Sequence, residues 1–234
     1  MNASMPSATV SLPLFPLPSV LFPGGHLPLR IFEVRYLDMI ARHHREGTPF
    51  GVVCLDRDGS ELARPAGGPG GDGFAHEPFH ALGTLARIDE LQRPQPGLLH
   101  VRCTGTQRFR VRRSEQQRYG LWVGELELLP DDARVEVPDD LAFAREALVT
   151  LLRQVEQSVA LSAQRGEPVD AELPLHPPYR WDDCGWLANR WCEILPLGTA
   201  AKHRLMAIES PLLRLELVGD TLRELRLAGA PRKV

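Results

Sequence analysis

The sequence predicts an α+β protein in which strands come first and helices follow. Three observations carry that reading. Through much of residues 10–132 apolar residues recur with a period of two, as where Phe109 and Val111 alternate with Arg108, Arg110 and Arg112. After Pro130 the spacing changes to three and four, with Leu141, Ala144, Leu148, Leu151, Leu152, Val155 and Val159 in one stripe. The chain has 234 residues, 43% hydrophobic and 24% charged, which is enough to bury a core without disulfide or metal staples. A β-rich part at 10–132 and a helical part at 138–228 follow from the change in period.

Residues 1–9 carry no pattern. Between Leu12 and Leu29, prolines at 13, 16, 18, 23 and 28 forbid a helix, because proline fixes φ and lacks an N–H. Short edge strands and turns are expected there, reversing at Pro23-Gly24-Gly25. Val34, Leu37, Ile40, Ala41 and His44 then fall at helical spacing and predict a short helix, closed by Gly47. Phe50–Leu55 reads as a buried strand ending at Asp58-Gly59. Residues 59–73 hold six glycines and two prolines and are expected as a mobile excursion. Strands are predicted over 82–91, 98–104, 107–113 and 121–128. Pro138-Asp139 opens the first helix of the second part, and 165–180 is a proline-bearing connection. Asp182 or Asp183 caps the next helix, which carries Trp186, Leu187, Trp191 and Cys192 and ends at Pro196. Gly198-Thr199 leads into a third helix, and Pro211 starts a fourth with Leu212, Leu215, Val218, Leu222 and Leu225.

Charge and targeting narrow the classes of function. A net charge of −3 does not suit a protein that coats nucleic acid or an anionic membrane. The first charged residue is Arg30, so the basic start of a signal peptide is missing, and prolines interrupt the opening apolar run. A cytoplasmic protein is expected, with Cys54, Cys103, Cys184 and Cys192 as reduced, buried thiols. Cys184 and Cys192 lie about 2.2 helical turns apart, so they do not project together toward a metal.

Two motifs invite chemistry. His76-Glu77-Pro78-Phe79-His80 has the letters of a zinc-peptidase helix, but Pro78 and the glycine-rich approach exclude the helix that would place both histidines on one metal. A loop entering a strand is expected instead. Arg102, Arg108, Arg110 and Arg112, with Arg113 and Arg118 nearby, form a basic stretch able to meet phosphates if they share a sheet face. Few aromatics are interleaved for base stacking, so a solvated face is preferred and RNA binding is the alternative. Glu33 and Arg35 read as ordinary charges at a helix start. No Gly-x-Ser-x-Gly elbow occurs.

The chain resembles the N-terminal domain of Lon proteases. The words that carry it are Leu12-Pro13-Leu14-Phe15-Pro16-Leu17, Val20-Leu21-Phe22-Pro23-Gly24 and Leu27-Pro28-Leu29-Arg30-Ile31-Phe32-Glu33 with Arg35-Tyr36. Phe50-Gly51-Val52, Gly83-Thr84-Leu85-Ala86-Arg87-Ile88, Gly105, Arg108-Phe109-Arg110-Val111, Cys192-Glu193-Ile194-Leu195-Pro196 and Lys202 continue it in order. The resemblance implies a PUA-like β pseudo-barrel followed by a helical subdomain. It also implies a non-catalytic module that binds other proteins or unfolded polypeptide, with no cofactor and no metal. The chain's two lysines, Lys202 and Lys233, are not preceded by the glycine of a phosphate-binding loop, so a stand-alone recognition domain is expected. Phe15, Phe22, Phe32, Tyr36, Trp186 and Trp191 are then the candidates for peptide contact, in a groove between barrel and helices.

Overall fold

Six strands and five helices follow one another in the computed structural model, which describes residues 9–56, 78–166 and 175–225. In order they are β1 (Thr9–Leu17), β2 (His26–Ile31), α1 (Val34–Glu46), β3 (Phe50–Leu55), β4 (Phe79–Gln95), β5 (Leu98–Gln116) and β6 (Trp122–Leu128), then α2 (Ala142–Gln164), α3 (Cys184–Ile194), α4 (Thr199–Ala207) and α5 (Pro211–Glu224). The strands run β2-β5-β4-β3-β1-β6 across the sheet, and a further β5–β6 pairing closes it into a ring of five with β2 appended. Strands first and helices after make the α+β class that the sequence predicts.

β1 is not an edge strand, although its prolines point that way. Residues Thr9–Leu14 pair antiparallel with β6, and Leu14–Leu17 pair parallel with β3. Each half therefore has one registered neighbour. Pro13 and Pro16 sit in different halves, where an absent N–H is not needed on the unpaired side. The two strands expected at 98–104 and 107–113 are one strand, β5. Its first half pairs with β2 and its second with β6, and register shifts against β4 absorb the irregularity at Gly105. Gly105 is pinned to the Pro23–Gly25 reversal by two backbone bonds, Gly24 N–H to its carbonyl (2.7 Å) and its N–H to the Gly25 carbonyl (2.8 Å).

Alternation along the strands separates two apolar layers. Leu14, Val53, Leu85, Phe109, Trp122 and Leu126 form one buried cluster within the ring. Phe15, Ile31, Phe50, Val52, Leu99 and Val101 join Tyr36, Met39 and Ile40 of α1 in a second. β3 contributes to both layers, which is why all six of its residues are buried. Close packing shows at Gly83, where an added Cβ would lie 2.4 Å from the Val52 carbonyl oxygen and 2.6 Å from the Phe109 ring. Helix α1 ends at Gly47 in the left-handed region (φ 65°), as its position in the sequence requires. Its buried face is Tyr36, Met39, Ile40 and His43. Of the residues at helical spacing, Ile40 is buried, Leu37 and Ala41 are half-buried, and Val34 and His44 are exposed.

The chain divides into two compact units, Met1–Asp131 with Gly198–Ala207 and Asp132–Leu197 with Ile208–Val234. Helix α4 thus groups with the strands, whereas the change in period places it with the other helices. Its hold is polar: Arg108 donates to the Met206 carbonyl (2.8 Å), His203 Nε2 bonds the Leu82 carbonyl (3.2 Å), and Thr199 donates to the Pro18 carbonyl (3.2 Å). In the helical unit Asp183, not Asp182, caps α3, with Oδ1 accepting from the N–H groups of Gly185 and Trp186. Ser210 caps α5, which begins with Pro211. Of the stripe predicted on α2 and the turn before it, Leu141, Ala144, Leu148 and Leu152 are buried, while Leu151, Val155 and Val159 are half-buried. At the unit's centre Arg214 donates to Asp132 (2.6 and 3.2 Å), Asn189 Oδ1 (2.9 Å) and the Ile208 carbonyl (2.5 Å).

Candidate functional site

Alternation on β2 turns Ile31 into the core, so the next residue, Phe32, leaves the sheet pointing outward. The chain is still extended at Glu33, and α1 begins at Val34 with that residue on its outer face. Arg35 donates from Nε to Glu33 (2.8 Å) and from its terminal nitrogen to the carbonyl of Gly120 (3.0 Å), while its guanidinium lies 4.7 Å from the Tyr36 ring centroid. That reach joins the β2–α1 corner to a 3₁₀ turn at Arg118–Gly120, 85 residues away, where Tyr119 is held at φ 65°. A non-glycine residue in that region is uncommon and marks local strain. Phe32, Val34 and Tyr119 are 70%, 74% and 73% exposed, more than any other large apolar side chain among the described residues.

The outward stripe of α1 continues from this corner. Leu37, Asp38 and Ala41, at helical spacing from Val34, face the β4–β5 turn from Arg93 to Leu99 across a groove of about 540 Å³. Gly97 adopts φ 79° and lets the Pro96-Gly97 turn stay tight. The groove is apolar at Leu37, Ala41 and Leu98 and carries one charge of each sign, Asp38 and Arg93. A second groove, of about 560 Å³, lies within the helical unit, where Phe143, Ala147 and Leu151 of α2 meet Trp191, Ile194 and Leu195.

The six aromatics singled out from the sequence separate here. Phe15 packs on Tyr36 at 4.2 Å between ring centroids, and both are buried, as is Phe22. Trp186 is buried beside Tyr179 and Trp181. Trp191 is buried too, donating from Nε1 to the Ala144 carbonyl (2.9 Å), yet one side of it borders the helical groove. Only Phe32 of the six is exposed. Sequence reading misses Tyr119, flanked by nothing that marks it, and places Val34 in a helix without assigning it a face. The signal that could have found Val34 lies in the spacing itself: α1 carries two stripes, 34/37/41 and 36/39/40/43, of which only one can face inward.

The arginines of β5 do not form one open face. Arg108 is buried and bonded to α4, Arg102 is paired with Glu90, and Arg112 is paired with Glu127. Arg110 is exposed and stands across from Glu127 and Leu82 in register. Acidic residues on β4 and β6 thus answer the basic stretch. His76 lies outside the described residues. His80 stands in β4 and stacks on His203, so it is part of a strand and not of a metal-binding helix. Among the described residues no group of three or more His, Cys, Asp or Glu side chains is placed to hold a metal ion. No helix among them is long and apolar enough to cross a membrane. All four cysteines are buried free thiols. Burial, with Asp89 adding to it, pushes the Cys103 thiol up to about 12. Burial and then Asp183 push Cys184 up to about 11.

The family described as the ATP-dependent protease La (LON) substrate-binding domain matches residues 11–224. Among solved structures, the Lon N-terminal domain protein from Xanthomonas campestris is 31% identical, with 89% of this chain and 96% of that chain covered and a TM-score of 0.63. The N-terminal domain of Mycobacterium avium complex Lon protease has the same fold at 15% identity, with 90% and 97% covered and a TM-score of 0.54. No curated protein matches this chain.

Proposed function

Because this chain belongs to the family of the Lon substrate-binding domain, we propose that it is a non-catalytic recognition module that binds apolar segments of other polypeptides at the corner formed by Phe32, Val34 and Tyr119. The observation that carries the proposal is the exposure of these three side chains on two segments that Arg35 holds together. Large apolar groups held in water by a fixed backbone lose little conformational freedom when a partner covers them. Each buries its surface for a gain of roughly 1.5–3 kcal/mol on full coverage. The outer stripe of α1, with Leu37 and Ala41, extends the contact along the groove toward the β4–β5 turn. Asp38 and Arg93 at that groove favour segments carrying charge of either sign beside the apolar anchor.

A labelled, permanently unfolded polypeptide titrated with the protein and followed by fluorescence anisotropy tests the reading. Phe32→Ser with Val34→Ser is expected to weaken binding tenfold or more, on the order of 1.4 kcal/mol or above, with the unfolding midpoint unchanged. Equal affinity of the double variant and the parent would place recognition elsewhere. The RNA alternative is not favoured, because Arg102, Arg108 and Arg112 are already engaged. Binding to the unfolded chain is therefore expected to change little with salt, unlike a contact built on phosphates.

A further inference from the structure

Helix α4 is held on the strand unit by an imidazole pair. His80 of β4 and His203 of α4 stack with ring centroids 4.0 Å apart and an interplanar angle of 18°. His203 Nε2 lies 3.2 Å from the Leu82 carbonyl oxygen, so that nitrogen carries the hydrogen and the other is bare when the ring is neutral. His80 Nε2 lies 3.9 Å from the Asp56 carboxylate just past β3. A further charge that reaches α4 from a strand is Arg108 of β5, committed to the Met206 carbonyl at the helix C-terminus. On α4 itself the cations are Lys202 and Arg204. Among the described residues, Asp56 is a carboxylate whose charge reaches both rings.

From this geometry we propose that the His80–His203 stack is a proton-sensitive clasp: α4 docks firmly on the strands while the pair carries at most one proton, and a second proton loosens it. Two imidazolium rings stacked at this distance repel, and Asp56 can offset only one of them. The ring of His203 is half-buried. Burial, opposed by its bond to Leu82 and reinforced by His80, holds His203 below the ordinary histidine range. The released helix returns that ring to solvent, where it titrates near 6.5. Protons therefore bind the loosened form more readily, and docking weakens as pH falls below about 6.5. Because Leu197-Gly198 and Ala207-Ile208 are the joints at which the chain leaves and re-enters the helical unit, the clasp acts on the segment lying between two of the crossings.

Amide hydrogen exchange of the full chain at residues 199–207, corrected for the intrinsic rate at each pH, tests the clasp. Between pH 7.5 and 5.5 the opening constant of α4 is expected to rise several-fold, toward a limit of about tenfold reached when the docked ring stays neutral throughout and the free ring titrates near 6.5. His203→Gln keeps an N–H for Leu82 and removes the titration, so its α4 opening should not change with pH. His80→Gln removes the second cation and should weaken the response, which supplies the comparison if His203→Gln does not fold. Nitrogen chemical shifts of the two rings in the parent protein give an independent reading, with His203 titrating below 6.5. Flat exchange in the parent, the same rise in His203→Gln, or a rise shared equally by the amides of β3 to β6 would each overturn the proposal.

Discussion

Arg214 carries its charge inside the helical unit with about 1% of its side chain exposed, and survives there because Asp132, Asn189 and Ile208 accept its hydrogens. Removing one partner of such a pair strands the other without water. Arg214→Met is expected to cost about 3–5 kcal/mol in urea unfolding, and Arg214→Met with Asp132→Leu to cost less than Arg214→Met alone. His43 raises a different issue. Its buried ring meets Thr48 Oγ1 at Nδ1 (2.9 Å), and burial, with Arg42 as the next cause, holds it below the ordinary histidine value of 6.5. The unfolded chain then takes up the proton first as pH falls. The stability is present above pH 6.5 and is lost as pH drops from there through the lower folded value, where the loss levels off. Urea midpoints at pH 7.5 and 5.5 should differ less in His43→Gln than in the parent; an unchanged difference would show that the ring does not contribute. The thiols make a simpler case. With Cys103 pushed up to about 12 and Cys184 to about 11, thiol reagents at pH 8 should modify these two only after denaturant is added.

β5 shows how an element differs from the pattern that announces it. Period two places Arg108, Arg110 and Arg112 together on one side of a strand. Arg108 is nevertheless buried, because α4 lies over that end of the strand and offers the Met206 carbonyl, while Arg112 is drawn to Glu127 of β6. Arg108→Ala should therefore lower stability by about 1.5–3 kcal/mol, as the loss of a charged buried hydrogen bond, with no loss of binding to unfolded polypeptide. Helix α1 offers a parallel lesson. Both of its stripes are apolar enough to be core, and only the sheet beneath it selects Tyr36, Met39, Ile40 and His43. Val34 is thereby left at the surface beside Phe32, while Leu37 and Ala41 are half-buried. In the ring, Gly83 faces Phe109 with no room for a methyl group. Gly83→Ala should cost roughly 1–3 kcal/mol by overpacking, read as a lower thermal midpoint.

At the scale of the molecule, two units built from interleaved parts of the chain have different legibility. The strand-rich first part, the α1 cap at Gly47, the Pro-Gly reversal and the start of α5 at Pro211 were all readable, because each rests on local chemistry: period, missing N–H groups, or a backbone angle only glycine accepts easily. The family was readable too, since its motif words follow one another in order along nearly the whole matched stretch. The proposed recognition corner was readable only in part. Phe32 carried a signal, but Tyr119 did not, and Phe15, Phe22, Tyr36, Trp186 and Trp191 carried the same signal while being core. An aromatic ring obeys one hydrophobic rule whether it is packed inside or held outside for a partner, so composition does not separate the two. By itself the sequence determined the α+β order, the turns and the family, all of which depend on neighbours along the chain. Only the tertiary structure decided which residues of α1 face water, that α4 joins the strands, and that Arg35 ties the start of α1 to the turn carrying Tyr119. Those outcomes depend on contacts across as many as 181 residues, between Thr199 and Pro18, for which no local pattern exists.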